Sequence, residues 1–342
     1  MDVINFKKLV NQLQKQLKLE PNNTLLINDL AIALLETNDG TGALLQFQKA
    51  ANIQPTIQSL NNLAYFYYTE GEPLAGGGWR IKTNKAIDLL KKTIQMNPSS
   101  YFPYNLLGKI YTEKNDFKQA KKTLREAINI HPTIESLNNL AICYYKTSSL
   151  EKAADYFRKA NAERTQDHGS LNPLLSYGIC SAELGRREEA LTAAKELMKQ
   201  SKKTDDVEED QIVEIFYEAK NYSDVISIYS KLNLVSYTVD RLPPYFFALK
   251  TLGQLDKVQE ILDSLIEYIL TEIHEALDEN DEDWEPGRKE EYIDELKMDI
   301  KFLKHSAEQV GRGVRPSLAF EPHIETGCYL FGCKRHNNPN YD

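Results

Sequence analysis

The sequence predicts an all-α protein built from stacked helical hairpins, and three observations lead to this fold class. Between Tyr101 and Pro132, apolar residues recur at helical spacing in two halves that a polar turn separates. Within that segment, Gly108 and Ala120 place small residues where two helix backbones have to come close. The same spacing recurs along most of the 342 residues. Such recurrence indicates one elongated solenoid that grows by adding units, rather than two globular domains.

Seven residues of this segment carry a resemblance to a known repeat family: Leu107, Gly108, Tyr111, Ala120, Leu124, Ala127 and Pro132. At these positions the segment resembles a tetratricopeptide repeat, whose pattern of small, large and aromatic residues spans about 34 residues and ends in a proline. The resemblance implies a right-handed α-solenoid of helical hairpins. It implies an architecture and not an activity, because one fold serves many functions.

The other segments are assigned in chain order from the same template. Residues 1–22 are predicted to form an N-terminal capping helix with a polar outer face. Five repeat units follow over residues 23–204, and the second contains an insertion near residues 72–84. Residues 205–310 are predicted to form degenerate units and long helices that cap the solenoid. Residues 311–342 have no helical period and are predicted to form an irregular tail.

Composition narrows the possible locations. The N-terminal sequence mixes charged with apolar residues and has no uninterrupted apolar run, so we expect neither a signal peptide nor a membrane span there. Cys143 and Cys180 fall on predicted helices, where buried free thiols are common, and this fits a reducing compartment. A cytoplasmic protein without a membrane partner is therefore expected.

The net charge of −9 is unevenly distributed along the chain. Between Asp205 and Glu295 there are 25 acidic and 7 basic residues, a net charge of −18, so the rest of the chain carries +9. An acidic half can attract a basic partner. The alternative is a solvated acidic surface that only keeps the protein soluble. Nucleic-acid binding is not expected, because no cluster of basic and aromatic residues stands out.

In the resembling family, the first helix of each unit lines a concave groove, and the position that points into it is asparagine in four successive units here. A carboxamide offers both a donor and an acceptor, so a column of carboxamides can pair with the backbone of an extended peptide whatever its side chains. We therefore predict a peptide-binding groove. The alternative is that these residues only solvate the concave face. They are Asn28, Asn61, Asn105 and Asn138, with Asn62 and Asn139 beside two of them.

Three tyrosines and one lysine near the asparagines are also predicted to contact a peptide: Tyr65, Tyr68, Tyr145 and Lys109. Tyrosine rings can grip a ligand while their hydroxyls stay hydrated. Some members of the family clamp a C-terminal carboxylate with a basic pair. At the matching positions this chain has no basic residue, so we expect no clamp of that kind; they hold Phe102 and Leu106, or Asn172 and Ser176.

The insertion near residues 72–84 contains three consecutive glycines and a proline, which cannot continue either helix, so it is predicted to be a loop. Trp79 and Arg80 within it are residue types enriched at binding hot spots and are possible contacts for a partner. The alternative is a flexible tether with Trp79 folded back onto its own repeat. A phosphate-binding loop is not expected, because the required glycine and the preceding strand are missing.

The tail carries two thiols and two imidazoles, a ligand set that suits a structural zinc ion: His323, Cys328, Cys333 and His336. Their spacing matches no zinc finger that we can name. A disulfide between the two cysteines is a second alternative, which a reducing compartment disfavours. We favour a tail without a cofactor that docks on the last helices through apolar residues, namely Leu318, Phe320, Tyr329, Leu330 and Phe331.

No constellation of catalytic residues appears, so we do not expect an enzyme. The sequence favours a protein- or peptide-binding adaptor that uses the concave groove of the first four units. The alternative function is a neutralising protein of the antitoxin or immunity type, which would cover a basic enzyme with its acidic C-terminal half. The sequence leaves the identity of the partner and the oligomeric state open.

Overall fold

The computed structural model describes residues 5–165, 169–203, 206–236, 239–280, 284–318 and 320–340. Packing divides the chain into two compact units, and each is described by itself. The first contains residues 1–169 and 323–342, and the second contains residues 170–322. The repeat limits placed at residues 22, 204 and 310 come from a sequence template and stay a prediction.

The first unit is a series of helices joined by short turns: α1 (Phe6–Leu19), α2 (Thr24–Leu35), α3 (Gly40–Ile53), α4 (Ile57–Thr69), α5 (Thr83–Gln95), α6 (Phe102–Glu113), α7 (Phe117–Ile130), α8 (Ile134–Tyr145) and α9 (Leu150–Ala162). Extensive packing joins α2 to α3, α4 to α5, α6 to α7 and α8 to α9. These four pairs are the predicted helical hairpins. The all-α prediction is confirmed.

Small residues explain how closely the helices of a hairpin approach. Ala120, Leu124 and Ala127 on α7 are completely buried. A Cβ atom added at Gly108 on α6 would lie 2.5 Å from the Leu124 side chain, well inside van der Waals contact. The α6–α7 hairpin therefore depends on glycine at this position, as the sequence pattern predicted.

The insertion in the second hairpin folds as a short β-hairpin and not as the predicted loop. Strands β1 (Glu72–Pro73) and β2 (Trp79–Arg80) pair antiparallel, and glycines with positive φ between them let the chain reverse. The Trp79 ring packs edge-on against Phe66, with 6.0 Å between the ring centroids, and remains 41% exposed. Trp79 therefore folds back onto its own repeat, while a role in binding for Trp79 and Arg80 stays a prediction.

In its described part, the second unit contains seven α-helices: α10 (Asn172–Glu183), α11 (Arg187–Gln200), α12 (Glu209–Glu218), α13 (Tyr222–Tyr229), α14 (Pro243–Thr251), α15 (Leu255–Asp278) and α16 (Arg288–Gly311). The last two are the long helices that the apolar periodicity predicted. One apolar stripe of α15 is buried in the core of this unit, and it consists of Val258, Leu262, Leu265, Ile269 and Ile273.

After α16, residues 312–322 stay within the second unit. The Arg315 guanidinium lies 4.4 Å from the centroid of the Tyr217 ring and 3.1 Å from the Glu218 carboxylate. The Tyr217 hydroxyl donates to the carbonyl of Pro316 at 2.8 Å. Two further residues pack against the apolar core, as the docking model predicted: Leu318 and Phe320.

The cysteines outside the tail are structural. Cys143 on α8 and Cys180 on α10 are buried and form no disulfide, as expected. Burial raises the pKa of Cys143 to about 11, so its thiol stays neutral at physiological pH. Within the described ranges, no helix combines the length and the apolar character that crossing a membrane requires.

Candidate functional site

Residues 323–331 of the tail run along the first helices of the hairpins in the first unit and are held there by asparagine side chains. Asn62 on α4 pairs with both backbone groups of Phe331. Its Nδ2 donates to the Phe331 carbonyl at 2.9 Å, and its Oδ1 accepts from the Phe331 N–H at 2.8 Å. The neighbouring Asn61 donates to the carbonyl of Tyr329 at 2.6 Å. Both carboxamides therefore bind the tail without using its side chains.

The same arrangement occurs again on α8. Asn139 donates to the carbonyl of Glu325 at 2.9 Å and accepts from its N–H at 2.9 Å. Asn138 donates to the carbonyl of His323 at 2.8 Å. In both places the two neighbouring asparagines bind tail residues that are two positions apart, and the first asparagine binds the earlier of the two. The tail consequently runs from α8 towards α4, opposite to the order of the hairpins.

We call Asn61–Asn62 and Asn138–Asn139 the asparagine doublets, and their local sequences explain why they behave alike. Residues 55–64 and 132–141 are identical except at Gln58 and Glu135. A threonine precedes each helix and accepts a hydrogen bond from the N–H of a serine three residues later. The two helices therefore begin alike, and the side chains of the two doublets have the same direction relative to their helices. Sequence reasoning considered single asparagine positions, and this repeated ten-residue segment is the signal that it missed.

The hairpin between the doublets contributes an aromatic surface. Phe102 at the start of α6 is buried, and its ring centroid lies 5.0 Å from that of Phe331 and 5.9 Å from that of Tyr329. Tyr65 on α4 contacts Tyr329 edge-on at 6.4 Å. We call the surface formed by the doublets, Tyr65 and Phe102 the groove. Phe102 was not among the predicted contacts, because its position was examined only for a basic clamp.

The other two asparagines of the predicted ladder bond to residues of the repeats and not to the tail. The Asn28 Nδ2 donates to the carbonyl of Thr24 at 3.0 Å, and the Asn105 Nδ2 donates to the Thr133 hydroxyl at 3.1 Å. Both side chains are buried. They fix the start of α2 and the contact of α6 with the following hairpin, and their predicted role in peptide binding stays a prediction.

The remaining predicted contacts lie on the same helices. Lys109 on α6 donates to the Tyr68 hydroxyl at 2.6 Å and forms an ion pair with Glu113 at 2.5 Å. Tyr68 also bonds to Glu113, so the three side chains form one polar cluster. Tyr145 is half-buried at the end of α8. Lys109, Tyr68 and Glu113 bond to one another, and contact of a peptide partner with Tyr68, Lys109 or Tyr145 stays a prediction.

The predicted metal ligands come together only in part. The ligand atoms of Cys328, Cys333 and His336 lie within 4.8 Å of one another. His323 is not in this group: it precedes Cys328 by five residues, and its carbonyl is bound by Asn138 on α8. The prediction that Tyr329 and Phe331 dock on the last helices is wrong. They dock in the groove of the first unit, because the doublets offer partners for backbone groups that an apolar surface would leave unpaired.

Burial shifts the acidic groups at this site. The pKa of the Tyr329 hydroxyl lies well above its usual value because the ring is buried. Burial likewise raises the pKa of Tyr65, whose hydroxyl contacts Cys328. The pKa of Cys333 is lowered, because the Cys328 thiol donates to it and the His336 ring lies beside it. The tyrosines are therefore neutral at physiological pH, whereas Cys333 favours the thiolate.

The comparison with known families decides the nature of the repeat. A family model for the tetratricopeptide repeat matches residues 103–133, which correspond to α6 and α7. The hairpin of α6 and α7 is therefore a tetratricopeptide repeat. The other hairpins in the first unit pack in the same pairwise manner as this one.

The chain is also similar to one curated protein and to several solved structures. A BBSome complex member BBS4 homolog from Drosophila melanogaster is 28% identical over 160 residues, which are 45% of this chain and 31% of that protein. The chain thus spans about a third of that relative's length. The structure of pilF from Pseudomonas aeruginosa has a TM-score of 0.50 at 16% identity, covering 64% of this chain and 90% of that one. PilW, a type IV pilus biogenesis factor, has a TM-score of 0.49 at 17% identity, covering 59% and 89%. At 16% identity, the likeness to pilF concerns the fold alone.

Proposed function

We propose that this protein is a protein-binding adaptor whose groove holds an extended peptide by its backbone, and that its own tail occupies the groove in cis. The observation that carries the proposal is the paired bonding of each doublet to both backbone groups of one tail residue, Phe331 or Glu325. A carboxamide that closes such a pair treats the bound segment much as a neighbouring β-strand would. Any extended segment offers these groups, so another chain can use the same bonds.

Selectivity comes from the aromatic part of the groove. Tyr329 and Phe331 are two residues apart in the sequence. Both rings contact the Phe102 ring, and both residues are buried. Aromatic pairs contribute about 0.5–1.5 kcal/mol beyond the area that they bury. We therefore expect a partner segment with two aromatic residues separated by one residue, preceded by a stretch whose backbone can reach the doublet on α8.

A partner has to compete with the docked tail for the groove, so the tail lowers the apparent affinity of the partner. A tethered segment acts at an effective concentration that is about millimolar for a short flexible connection. A partner in trans therefore binds weakly while the tail is docked and more tightly once it is released. This makes the tail a competitor and gives the adaptor a closed state.

The proposal is tested with a fluorescent peptide of residues 321–332 and three versions of the full chain. The wild type keeps its tail in the groove, and Tyr329→Ala with Phe331→Ala weakens tail docking while leaving the doublets intact. Adding Asn62→Ala and Asn139→Ala to that variant removes the backbone contacts. Fluorescence anisotropy should give at least about tenfold tighter binding for the tail-released variant than for the wild type. The asparagine substitutions should then weaken binding at least about 30-fold, because each leaves buried groups unpaired.

The matched control is Asn28→Ala with Asn105→Ala in the tail-released chain. These asparagines occupy the same ladder, but Asn28 bonds within α2 and Asn105 bonds to Thr133 at the start of α8. Binding of the peptide should stay within about threefold of the tail-released value. Equal binding by the doublet variant and this control, or no binding by the tail-released chain, would contradict use of the groove.

The alternative function, neutralisation of a basic enzyme through the acidic half, has no support from the fold or from the relatives. Its basis is still only the net charge of −18 between residues 205 and 295. Absence of an enzymatic activity and of a nucleic-acid partner likewise remain predictions. We therefore develop only the adaptor.

A further inference from the structure

The end of the tail folds into a small turn structure that gathers two thiols and an imidazole. Cys333 Sγ lies 3.2 Å from His336 Nδ1, and the ligand atoms of Cys328, Cys333 and His336 lie within 4.8 Å of one another. A tetrahedral zinc centre with bonds of about 2.0–2.3 Å places its ligand atoms about 3.3–3.8 Å apart. The three groups therefore need shifts of about an ångström or less to bind one ion.

The backbone that carries these groups is held by its own hydrogen bonds. The Asn338 side chain donates to the carbonyls of Cys328 and Leu330, each at 2.9 Å. The Asn338 N–H donates to the carbonyl of Cys333 at 3.0 Å, and the Gly332 N–H donates to that of Pro339 at 2.6 Å. Gly332 has a φ of +84°, which permits the turn between the cysteines. The ligand groups thus sit on a backbone that is already arranged.

We propose that Cys328, Cys333 and His336 bind one zinc ion, and that this zinc clasp holds the tail in the groove. Thiolate and imidazole are ligands that zinc prefers, and with three protein ligands the fourth tetrahedral position is left to solvent at the exposed side of His336. A cysteine that is still a thiol releases its proton to solvent when its sulfur binds the metal, whereas a thiolate binds without releasing one. No change of oxidation state is involved.

The position of the ligands couples the metal to docking. Cys328 and Cys333 enclose Tyr329 and Phe331, the residues that enter the groove. Fixing the two ends of this short segment restricts the free tail to conformations that resemble the docked one, so less conformational entropy is lost on docking. By linkage, docking must raise zinc affinity by the same factor. This coupling rests on the proposed function, whereas the metal site does not.

The site is tested in the full chain under reducing conditions by titration with Co²⁺, followed by displacement with Zn²⁺. We expect one Co²⁺ per chain and the charge-transfer absorption of sulfur bound to cobalt. Cys328→Ser, Cys333→Ser and His336→Asn should each lower the affinity at least about tenfold. Two controls should keep the spectrum, since they alter only residues outside the group: His323→Ala, and Cys143→Ala combined with Cys180→Ala.

A second measurement tests the clasp itself. Amide hydrogen exchange of Phe331 and Glu325 reports docking, because their N–H groups donate to the doublets. Zinc should slow this exchange about tenfold or more in the wild type and leave it unchanged in Cys333→Ser. The doublet variant Asn62→Ala with Asn139→Ala should still bind cobalt but exchange fast. That pattern separates a failure of the groove from a failure of the metal site.

Three outcomes would overturn the proposal. The first is less than about a tenth of a cobalt ion per chain, or a spectrum that the control variants lose. The second is a metal that binds without slowing exchange of the Phe331 amide, which would remove the clasp. The third is a Cys328–Cys333 disulfide that persists under reducing conditions, seen as the loss of two hydrogens by mass spectrometry. Absence of peptide binding by the tail-released chain, with the cobalt spectrum intact, would count against the groove alone.

Discussion

The segment after α16 is held in two different ways along its length. Residues 312–322 of the second unit depend on particular side chains, such as Arg315 over the Tyr217 ring and beside Glu218. Residues 323–331 of the first unit are held mainly through their backbone groups. One asparagine doublet binds the start of this segment, and the other binds its end. The first kind of contact accepts one sequence. The second kind accepts many sequences, and that difference makes the groove, and not the Arg315 contact, suitable for an exchangeable partner.

The largest effect should follow from removing both doublet contacts, with Asn62→Ala and Asn139→Ala in the otherwise unchanged chain. Each substitution leaves an N–H and a carbonyl of the tail without partners, buried at Phe331 and partly buried at Glu325, at a cost of about 1–3 kcal/mol per site. Amide exchange of Phe331 and Glu325 should accelerate at least about 30-fold. Asn28→Ala with Asn105→Ala is the control and should leave both amides protected. Equal acceleration in the two variants would mean that the doublets have no special role.

Much of the fold could be predicted because its constraints are local. Gly108 has to be small because Leu124 lies against it, and the same small positions recur in each hairpin. Helix periodicity also placed the two long helices near the end of the chain. The insertion was predicted less well, since a β-hairpin of two-residue strands leaves no period in the sequence. Its stability comes from contacts such as Trp79 on Phe66, which the local sequence does not encode.

The sequence predicted which asparagines could bind a backbone, but not the segment that they bind. Asparagine at the groove position indicated binding of a peptide backbone; the doublets bond to backbone groups of the tail, and binding of a separate peptide stays a prediction. That the backbone belongs to the same chain was not predictable, because the Asn62–Phe331 contact joins residues 269 positions apart. The sequence also did not indicate which asparagines of the ladder bond to the tail and which bond to residues of the repeats. Whether Asn105 faces a ligand or bonds to Thr133 depends on the next hairpin, which a single unit does not specify.

A smaller effect is expected in the second unit, where Glu214 lines a cavity together with Pro316 and Leu318. Burial raises the pKa of Glu214 to about 7, aided by the nearby Asp210 and Glu218 carboxylates and opposed by Arg241. Because this pKa lies above the unfolded value of 4.5, the contribution of Glu214 to stability is fully present below about pH 4.5. It is lost as the pH rises through 7, by up to about 3 kcal/mol.

Urea unfolding at several pH values between 4.5 and 8 checks this prediction. The wild type should lose stability over that range, and Glu214→Gln, which cannot ionise, should show a flatter dependence. An unchanged slope in Glu214→Gln would assign the pH dependence to other groups. Docking of residues 323–331 should respond little to this substitution, because its bonds to the doublets involve no carboxylate.

The smallest effects distinguish backbone from side-chain recognition at one tail position. Glu325→Ala keeps the N–H that donates to Asn139 Oδ1, so we expect a change in tail docking of about 0.5 kcal/mol or less. Glu325→Pro removes that N–H and leaves the Asn139 oxygen unpaired, which should cost about 1–2 kcal/mol. The difference is measured as the exchange rate of the Phe331 amide, which lies at the other doublet and is intact in both variants. Similar rates in the two variants would show that the Asn139 oxygen contributes nothing to binding. A larger loss from alanine than from proline would show that the groove recognises the side chain, and the segment would then resemble residues 312–322 in accepting only one sequence.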